Sequence, residues 1–239
     1  MVVKDISFAT PEENILFDEV LLDLAEKGLA GETLRFWESA KVFVVLGRIS
    51  KLEEDVRLDL TRREKIPVLR RASGGGTVLQ GPGCLNFSFV LSKARNPKLQ
   101  GLRESYQIIL SDVVASLKSV GVAAVMQPLS DLALISNQKK FSGNAQKRGR
   151  NHILHHGTVL YDFDLPLIEK YLSFPRQTPE YRQGRAHRDF VTNINVSGRD
   201  IKSAFQKHFT IERVESTVNE EERQSLEKFL MDRVGKIVF

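Results

Sequence analysis

Two short stretches of the chain carry residues suited to handling negative charge. In RRASGGGTV, Arg70 and Arg71 come just before three consecutive glycines, Gly74, Gly75 and Gly76. Glycine removes the side chain where a backbone must bend sharply or approach a ligand. Successive bare amides can cup an anion, and an arginine fork beside them suits phosphate or carboxylate. The same residues also fit a tight turn between two strands, with the arginines in solvent. In KKFSGNAQ, Lys139 and Lys140 precede Ser142, Gly143, Asn144 and Ala145, all small or polar. An ammonium held over a phosphate or carboxylate stabilises charge that develops in a transition state. On a strand the two lysines face opposite ways, so Lys140 is assigned to the ligand and Lys139 to solvent. In HHG, residues 155–157, the same alternation sends one histidine toward a ligand and the other into structure.

Several other chemistries are excluded by spacing. The pattern G-x-x-x-x-G-K-[ST] of a P-loop is absent. A strand rather than a helix is expected after the glycines, which argues against a dinucleotide fingerprint. No HExxH or other metal-ligand spacing occurs. A single cysteine, Cys84, cannot form an internal disulfide. Its place at the start of an apolar strand makes it a buried, unreactive thiol.

The elements that must position these stretches are legible from periodicity. Residues 11–28 read as an amphipathic helix, with Leu16, Val20 and Leu24 every four residues, Pro11 at its first turn and Gly28 at its end. Residues 32–37 and 41–47 read as strands around a short turn, and 66–71 and 76–80 as strands separated by the glycines. In residues 84–91, Leu85, Phe87 and Phe89 share one face of a half-buried strand. Residues 103–120 form the clearest helix, through Tyr106, Ile109, Leu110, Val113 and Leu117. Strands follow at 122–126, 132–136 and 153–163, and shorter helices at 165–172 and 200–209. A last helix spans 218–234, with Leu226, Phe229, Leu230 and Val234 near one face. Strands follow strands too often for a βαβ series. The fold class is therefore α+β, a mixed and largely antiparallel sheet flanked by helices.

The 239 residues fit a single domain spanning 1–239, with a small helical C-terminal extension from about 198. Hydrophobic residues at 41% and charged residues at 27% are ordinary for a globular chain, so composition points to neither a membrane protein nor a disordered one. No apolar run reaches the length of a membrane span, and the N-terminus lacks a signal-peptide core. With one cysteine, a cytoplasmic setting is expected. The net charge of +5 comes without a Lys/Arg run of the kind that binds nucleic acid. Residues 176–190 carry Arg176, Arg182, Arg185 and Arg188 and read as a loop able to meet an acidic partner.

Taken in order, the motifs resemble the lipoate–protein ligase family, within the wider group of biotin ligases and octanoyltransferases. NILFDEVLL resembles its opening helix, and LRFWESAKVFVVLGR its strand pair ending in Gly-Arg. RRASGGGTV with LNFSF resembles its arginine–glycine loop and following strand. SDLAL, KKFSGNAQ and HHGTVLY resemble its lysine strand and neighbours, so the similarity covers residues 10–175. The resemblance implies a biotin/lipoate ligase-like catalytic domain and a two-step reaction. ATP and lipoate or octanoate, usually with magnesium, give an acyl-adenylate, whose acyl group passes to a lysine of a lipoyl-carrier domain. It implies that Lys140 handles the acyl carboxylate and α-phosphate. Arg71, Ser73 and Gly74–Gly76 correspond to the acyl-adenylate loop, and Asn86 and Asp131 to polar positions near the nucleotide. Gly143, Asn144, Ala145, His156 and Gly157 correspond to the wall of the acyl tunnel and adenylate pocket, with Leu46 and Val78 as candidate lining. No residues are implied as magnesium ligands.

Two departures keep other readings open. The larger ligases carry a C-terminal accessory domain that this chain is too short to hold, so a separate accessory subunit is a further expectation. Gln80 stands where many ligases have histidine, and the following GPG is similar to an octanoyltransferase loop. Octanoyltransferases use a cysteine thioester and no ATP. The two places where such enzymes carry the cysteine correspond here to NHILHHG and VAAVMQPLSD, and neither contains one. The ligase is therefore preferred over the transferase, over a carrier-binding protein without activity, and over a biotin ligase, whose glycine loop reads differently.

Overall fold

The computed structural model describes residues 1–128, 130–175 and 178–233. In chain order the strands are β1 (Val2–Asp5), β2 (Thr33–Trp37), β3 (Phe43–Leu46), β4 (Val68–Arg70), β5 (Val78–Gln80), β6 (Cys84–Ser92), β7 (Ala124–Gln127), β8 (Asp131–Leu134), β9 (Lys140–Arg148), β10 (His152–Leu160) and β11 (Arg213–Glu215). The helices are α1 (Pro11–Glu26), α2 (Leu52–Asp55), α3 (Leu58–Arg63), α4 (Leu102–Lys118), α5 (Pro166–Tyr171), α6 (His187–Phe190), α7 (Gly198–His208) and α8 (Glu220–Arg233).

Eight strands form the main sheet in the order β11-β1-β2-β6-β10-β9-β8-β7. β1 runs parallel to both its neighbours, and every pairing from β2 to β7 is antiparallel. The α+β reading from the sequence is the architecture observed. One face of β6 carries Leu85, Phe87 and Phe89 into the largest core cluster, where α4 supplies Ile109, Leu110, Val113 and Leu117. The opposite face meets α1, whose Leu16, Val20 and Leu24 pack with Val90 and Leu154. A capping box starts α1: Thr10 Oγ1 accepts from the Glu13 amide and Glu13 Oε2 accepts from the Thr10 amide, both at 3.3 Å.

Two sequence expectations about pairing are corrected. β2 and β3 are not neighbours around a turn: β2 lies in the main sheet, and β3 is the centre of a second sheet ordered β4-β3-β5. Both strands are buried throughout, so no alternation marks which sheet each joins. β4 and β5 likewise flank β3 and do not pair with each other, so the glycine stretch is a loop crossing the end of β3 rather than a hairpin turn. β1, β11, α2, α3 and α6 are too short for periodicity to reveal.

The segment from residue 198 lies against the same core. α7 inserts Ile201 and Phe205, β11 adds to the sheet beside β1, and Leu226 of α8 packs with α1. Val234, expected on the face of that last helix, lies outside the described residues. Phe205 is fully buried, with ring centroids 5.2 Å from Phe87 and 5.7 Å from Phe36. Phe205→Ala should therefore cost about 3–5 kcal/mol, mostly from the cavity left behind. Urea unfolding followed by circular dichroism checks this; a loss below about 1 kcal/mol would show that α7 is not seated in the core.

Candidate active site

The position of Lys140 depends on an irregularity in the sheet. β8 and β9 begin in regular register, with Asp131 opposite Gly143 and Leu132 opposite Ser142, and then slip so that Ala133 faces Lys140. Phe141 is the extra residue. In unbroken register Lys140 would share the face of Leu132. With the bulge, Leu132 and Phe141 both enter the core, and Lys140 turns to the face of Asp131 and Gly143. Its Nζ lies 2.6 Å from Asp131 Oδ1. A Cβ placed on Gly143 would sit 3.0 Å from that nitrogen, so the lysine stem lies across the glycine. The Tyr181 hydroxyl donates to Asp131 Oδ2 at 2.7 Å. Burial and the Asp131 charge raise the Tyr181 phenol, which keeps its proton. Lys139 precedes the strand and is half-buried, as Lys140 is.

The glycine loop faces the same cleft. Gly75 has φ +84, and a Cβ there would meet Arg71 Nη2 at 2.9 Å and Ala145 Cβ at 3.8 Å, so only glycine fits without strain. Gly143 and Ala145 are two residues apart on one strand face, a spacing of about 7 Å. The ammonium and the loop are therefore neighbours across the cleft. Arg70 and Arg71 both make guanidinium hydrogen bonds within the protein. Arg71 donates to the carbonyls of Gly74 (2.7 Å) and Gly76 (2.8 Å) and to Ser73 Oγ (3.0 Å). Arg70 donates to the carbonyls of Gly47 and Ser50, both at 2.8 Å. Both arginines shape the loops from within. Burial lowers the Arg71 guanidinium to about 10, still charged at neutral pH.

His156 ties the loop to the main sheet. Its Nε2 lies 2.6 Å from Ser73 Oγ, and its Nδ1 faces Asp18 Oδ2 at 3.5 Å. Asp18 also accepts from Arg35 Nη1 at 2.7 Å and Ser88 Oγ at 2.6 Å. Burial alone would raise the Asp18 carboxyl, but Arg35 and His156 outweigh it and hold it below the usual range. Sequence reading missed Asp18. Its signal was a buried acid on the inward side of a helix, which helical periodicity treats as a break in the apolar stripe. Next to His156, a closed ring joins three side chains: Gln80 donates to Thr158, Thr158 to Asn86, and Asn86 back to Gln80, at 2.9, 2.8 and 3.0 Å. Asn86 is thus placed near His156 but is occupied within the protein. His155 points to the other face, between Phe87 and Tyr106, and burial lowers it to about 3, so it is neutral.

The expected pocket wall is split by alternation. Gly143, Ala145 and His156 share the face of Lys140, whereas Asn144 and Gly157 project to the face of Phe87. Asn144 Nδ2 donates to the Ser130 carbonyl at 2.8 Å, and Ser130 Oγ donates to the Asn144 carbonyl at 2.6 Å. Asn144 therefore holds the chain leading into Asp131. Among the expected lining residues, Leu46 is fully buried in the core of the small sheet and Val78 is half-buried. The expected basic loop is also revised. Arg182 is 3% exposed, stacked between Phe174 and Phe190, and Arg185 donates to the Tyr181 and Arg182 carbonyls. Arg188 remains exposed, and Arg176 lies outside the described residues.

Among the described residues no three His, Cys, Asp or Glu side chains converge on a metal position. Asp131, the carboxylate of the cleft, already accepts from Lys140 and Tyr181. These side chains do not build a magnesium site. Among the described residues no helix is long and apolar enough to cross a membrane.

A Cβ at position 157 would lie 2.0 Å from Asn144 Oδ1 and 2.6 Å from Phe87 Cζ. Gly157→Ala should therefore destabilise the fold by about 1–3 kcal/mol through overpacking. A urea midpoint equal to that of the parent protein would contradict this.

Comparison with known proteins gives the family. The chain is 35% identical over 163 residues to a probable lipoate-protein ligase A of Mycoplasma pneumoniae, covering 68% of this chain and 46% of that protein. It therefore spans about half the length of that relative. It is 27% identical to an octanoyltransferase LipM of Brevibacillus brevis, covering 94% of this chain and 92% of that protein. Two solved structures share the fold: a lipoate-protein ligase A bound with ATP (TM-score 0.81, 23% identity, 96% of this chain and 93% of that one), and a bipartite lipoate protein ligase studied with its E2 lipoyl domain from Thermoplasma acidophilum (TM-score 0.79, 24% identity, 96% and 91%). The family of lipoyl protein ligase A/B catalytic domains matches residues 10–221, and the chain, built around the cleft of Lys140 and the glycine loop, belongs to it.

Proposed function

We propose that this chain is an ATP-dependent lipoate–protein ligase. In this reading the carboxylate of lipoate, or of octanoate, attacks the α-phosphate of ATP. An acyl-adenylate forms and pyrophosphate leaves. The amine of a carrier-domain lysine then attacks the acyl carbonyl, the bond to AMP breaks, and the amine proton passes to solvent. To Lys140 we assign the acyl carboxylate and the α-phosphate oxygens, and to the Gly74–Gly76 loop, which lies near Ala145 on the same strand face, the adenylate. A preorganised cation acts strongly where water is excluded. ATP binding fits the solved relative that carries it, and a lipoyl-carrier domain as partner fits the bipartite relative with its E2 lipoyl domain. That relative also motivates a separate accessory subunit for the first step.

The observation that carries the choice of ligase over octanoyltransferase is the place of the only cysteine. Cys84 is fully buried in the cluster of the small sheet, beside Leu79 and Phe163. Burial raises its thiol far above the ordinary range, so it stays protonated. A thioester route needs a thiolate beside the lysine. The near full-length match to an octanoyltransferase keeps that activity as the second reading.

Pyrophosphate release with ATP, magnesium and lipoate, alone and with a candidate accessory protein, tests the first step. Lys140→Ala should lower the rate on the order of 10²-fold or more, Lys139→Ala should leave it nearly unchanged, and Cys84→Ser should retain it. Acyl transfer from an acyl-carrier protein without ATP, abolished by Cys84→Ser, would establish the second reading instead.

A further inference from the structure

We propose that Tyr181 is a positioning residue for the reaction: by holding Oδ2 of Asp131, its hydroxyl aims Oδ1 at Lys140 and so fixes the ammonium in the cleft. This rests on the reading of Lys140 given above. Lysine has a long flexible stem, and its charge is a point without directional preference, so its place is set by what it contacts. Asp131 is the ion partner that lies 2.6 Å from it. An aspartate carboxylate rotates broadly about its last torsion, so a single contact leaves its direction loose. The second contact, from Tyr181 at 2.7 Å, removes that freedom and makes the carboxylate a two-sided bracket.

Tyr181 is itself held. Its ring packs on Phe190 with centroids 5.1 Å apart. The carbonyl of residue 181 accepts from Arg185 Nη2 at 2.7 Å. The same stretch of chain reaches Lys140 by a second route, because the Thr192 amide donates to the Lys140 carbonyl at 2.9 Å and Val191 bridges to Lys140. The lysine is thus fixed at both its backbone and its charged end by residues 181–192. The raised phenol keeps the hydroxyl a donor across the working pH range.

Tyr181→Phe keeps the ring and removes only the hydroxyl. It should leave the melting temperature close to that of the parent protein. The kcat for pyrophosphate release should fall about ten-fold, the scale of one hydrogen bond to a charged group, and the KM for ATP and for lipoate should stay within about two-fold. If Tyr181 acts through Asp131, Tyr181→Phe adds no further slowing in an Asp131→Asn background, and this non-additivity is not expected of a role in fold stability alone. Full, multiplied slowing in the double variant would overturn the proposal, as would a parental kcat in Tyr181→Phe. The kcat is taken per folded enzyme, with the folded fraction of each variant measured by circular dichroism, so that loss of stability does not enter the cycle. Lys140→Ala separates the two levels: if it keeps full activity, the reading of the site fails. If it is inactive while Tyr181→Phe is unchanged, only the bracket fails.

Discussion

One buried carboxylate holds together the parts on which the cleft depends. Asp18 reaches from α1 to Arg35 on β2, Ser88 on β6 and His156 on β10. His156 in turn grips Ser73 of the glycine loop. Both Arg35 and Asp18 are removed from water, which makes each charge costly without the other. The Arg35 guanidinium is also lowered by burial and sustained by Asp18. Loss of either partner would strand the other, at a cost of about 3–5 kcal/mol. The geometry of a loop on the second sheet is therefore set from a helix packed on the same face of the first as His156.

The sequence carried the cleft more fully than it carried the sheet. Lys140, the glycine loop and the inward histidine were legible because each is a chemically marked residue beside small ones. The split of Asn144 and Gly157 from Gly143 and Ala145 followed from strict alternation, which a list of motif positions does not apply. The bulge at Phe141 was not legible, because an extra residue in a strand leaves no mark in composition, and it decides which way Lys140 points. The protein partners of Arg70 and Arg71 were not legible for a related reason. A guanidinium before glycines suits a ligand anion, but it can also hold carbonyls, those of Gly74 and Gly76 for Arg71 and those of the loop after β3 for Arg70. Helices α1 and α4 were read correctly because their apolar periods are long, whereas three- and four-residue strands such as β1 and β11 offer too few residues to show a period.

The two sheets divide the labour between rigidity and approach. The long central strands β6, β10 and β9 bury one face against α4 and α7, and that packing fixes the backbone that carries His156 and Lys140. The small sheet carries the loop and seals its own core around Cys84 and Phe163. The Gln80, Thr158 and Asn86 ring joins the sheets with polar groups that satisfy one another, so the junction is closed without stranding a donor.

β1 lies between β2 and β11, and Val2 is opposite both Thr33 and Arg213. During translation the second of these pairings must wait until Arg213, far along the chain from Val2, has emerged from the ribosome. Loop closure across such a span is slow and entropically costly. Until then the side of β1 that β11 later covers is an unpaired strand edge, open to pairing with another chain.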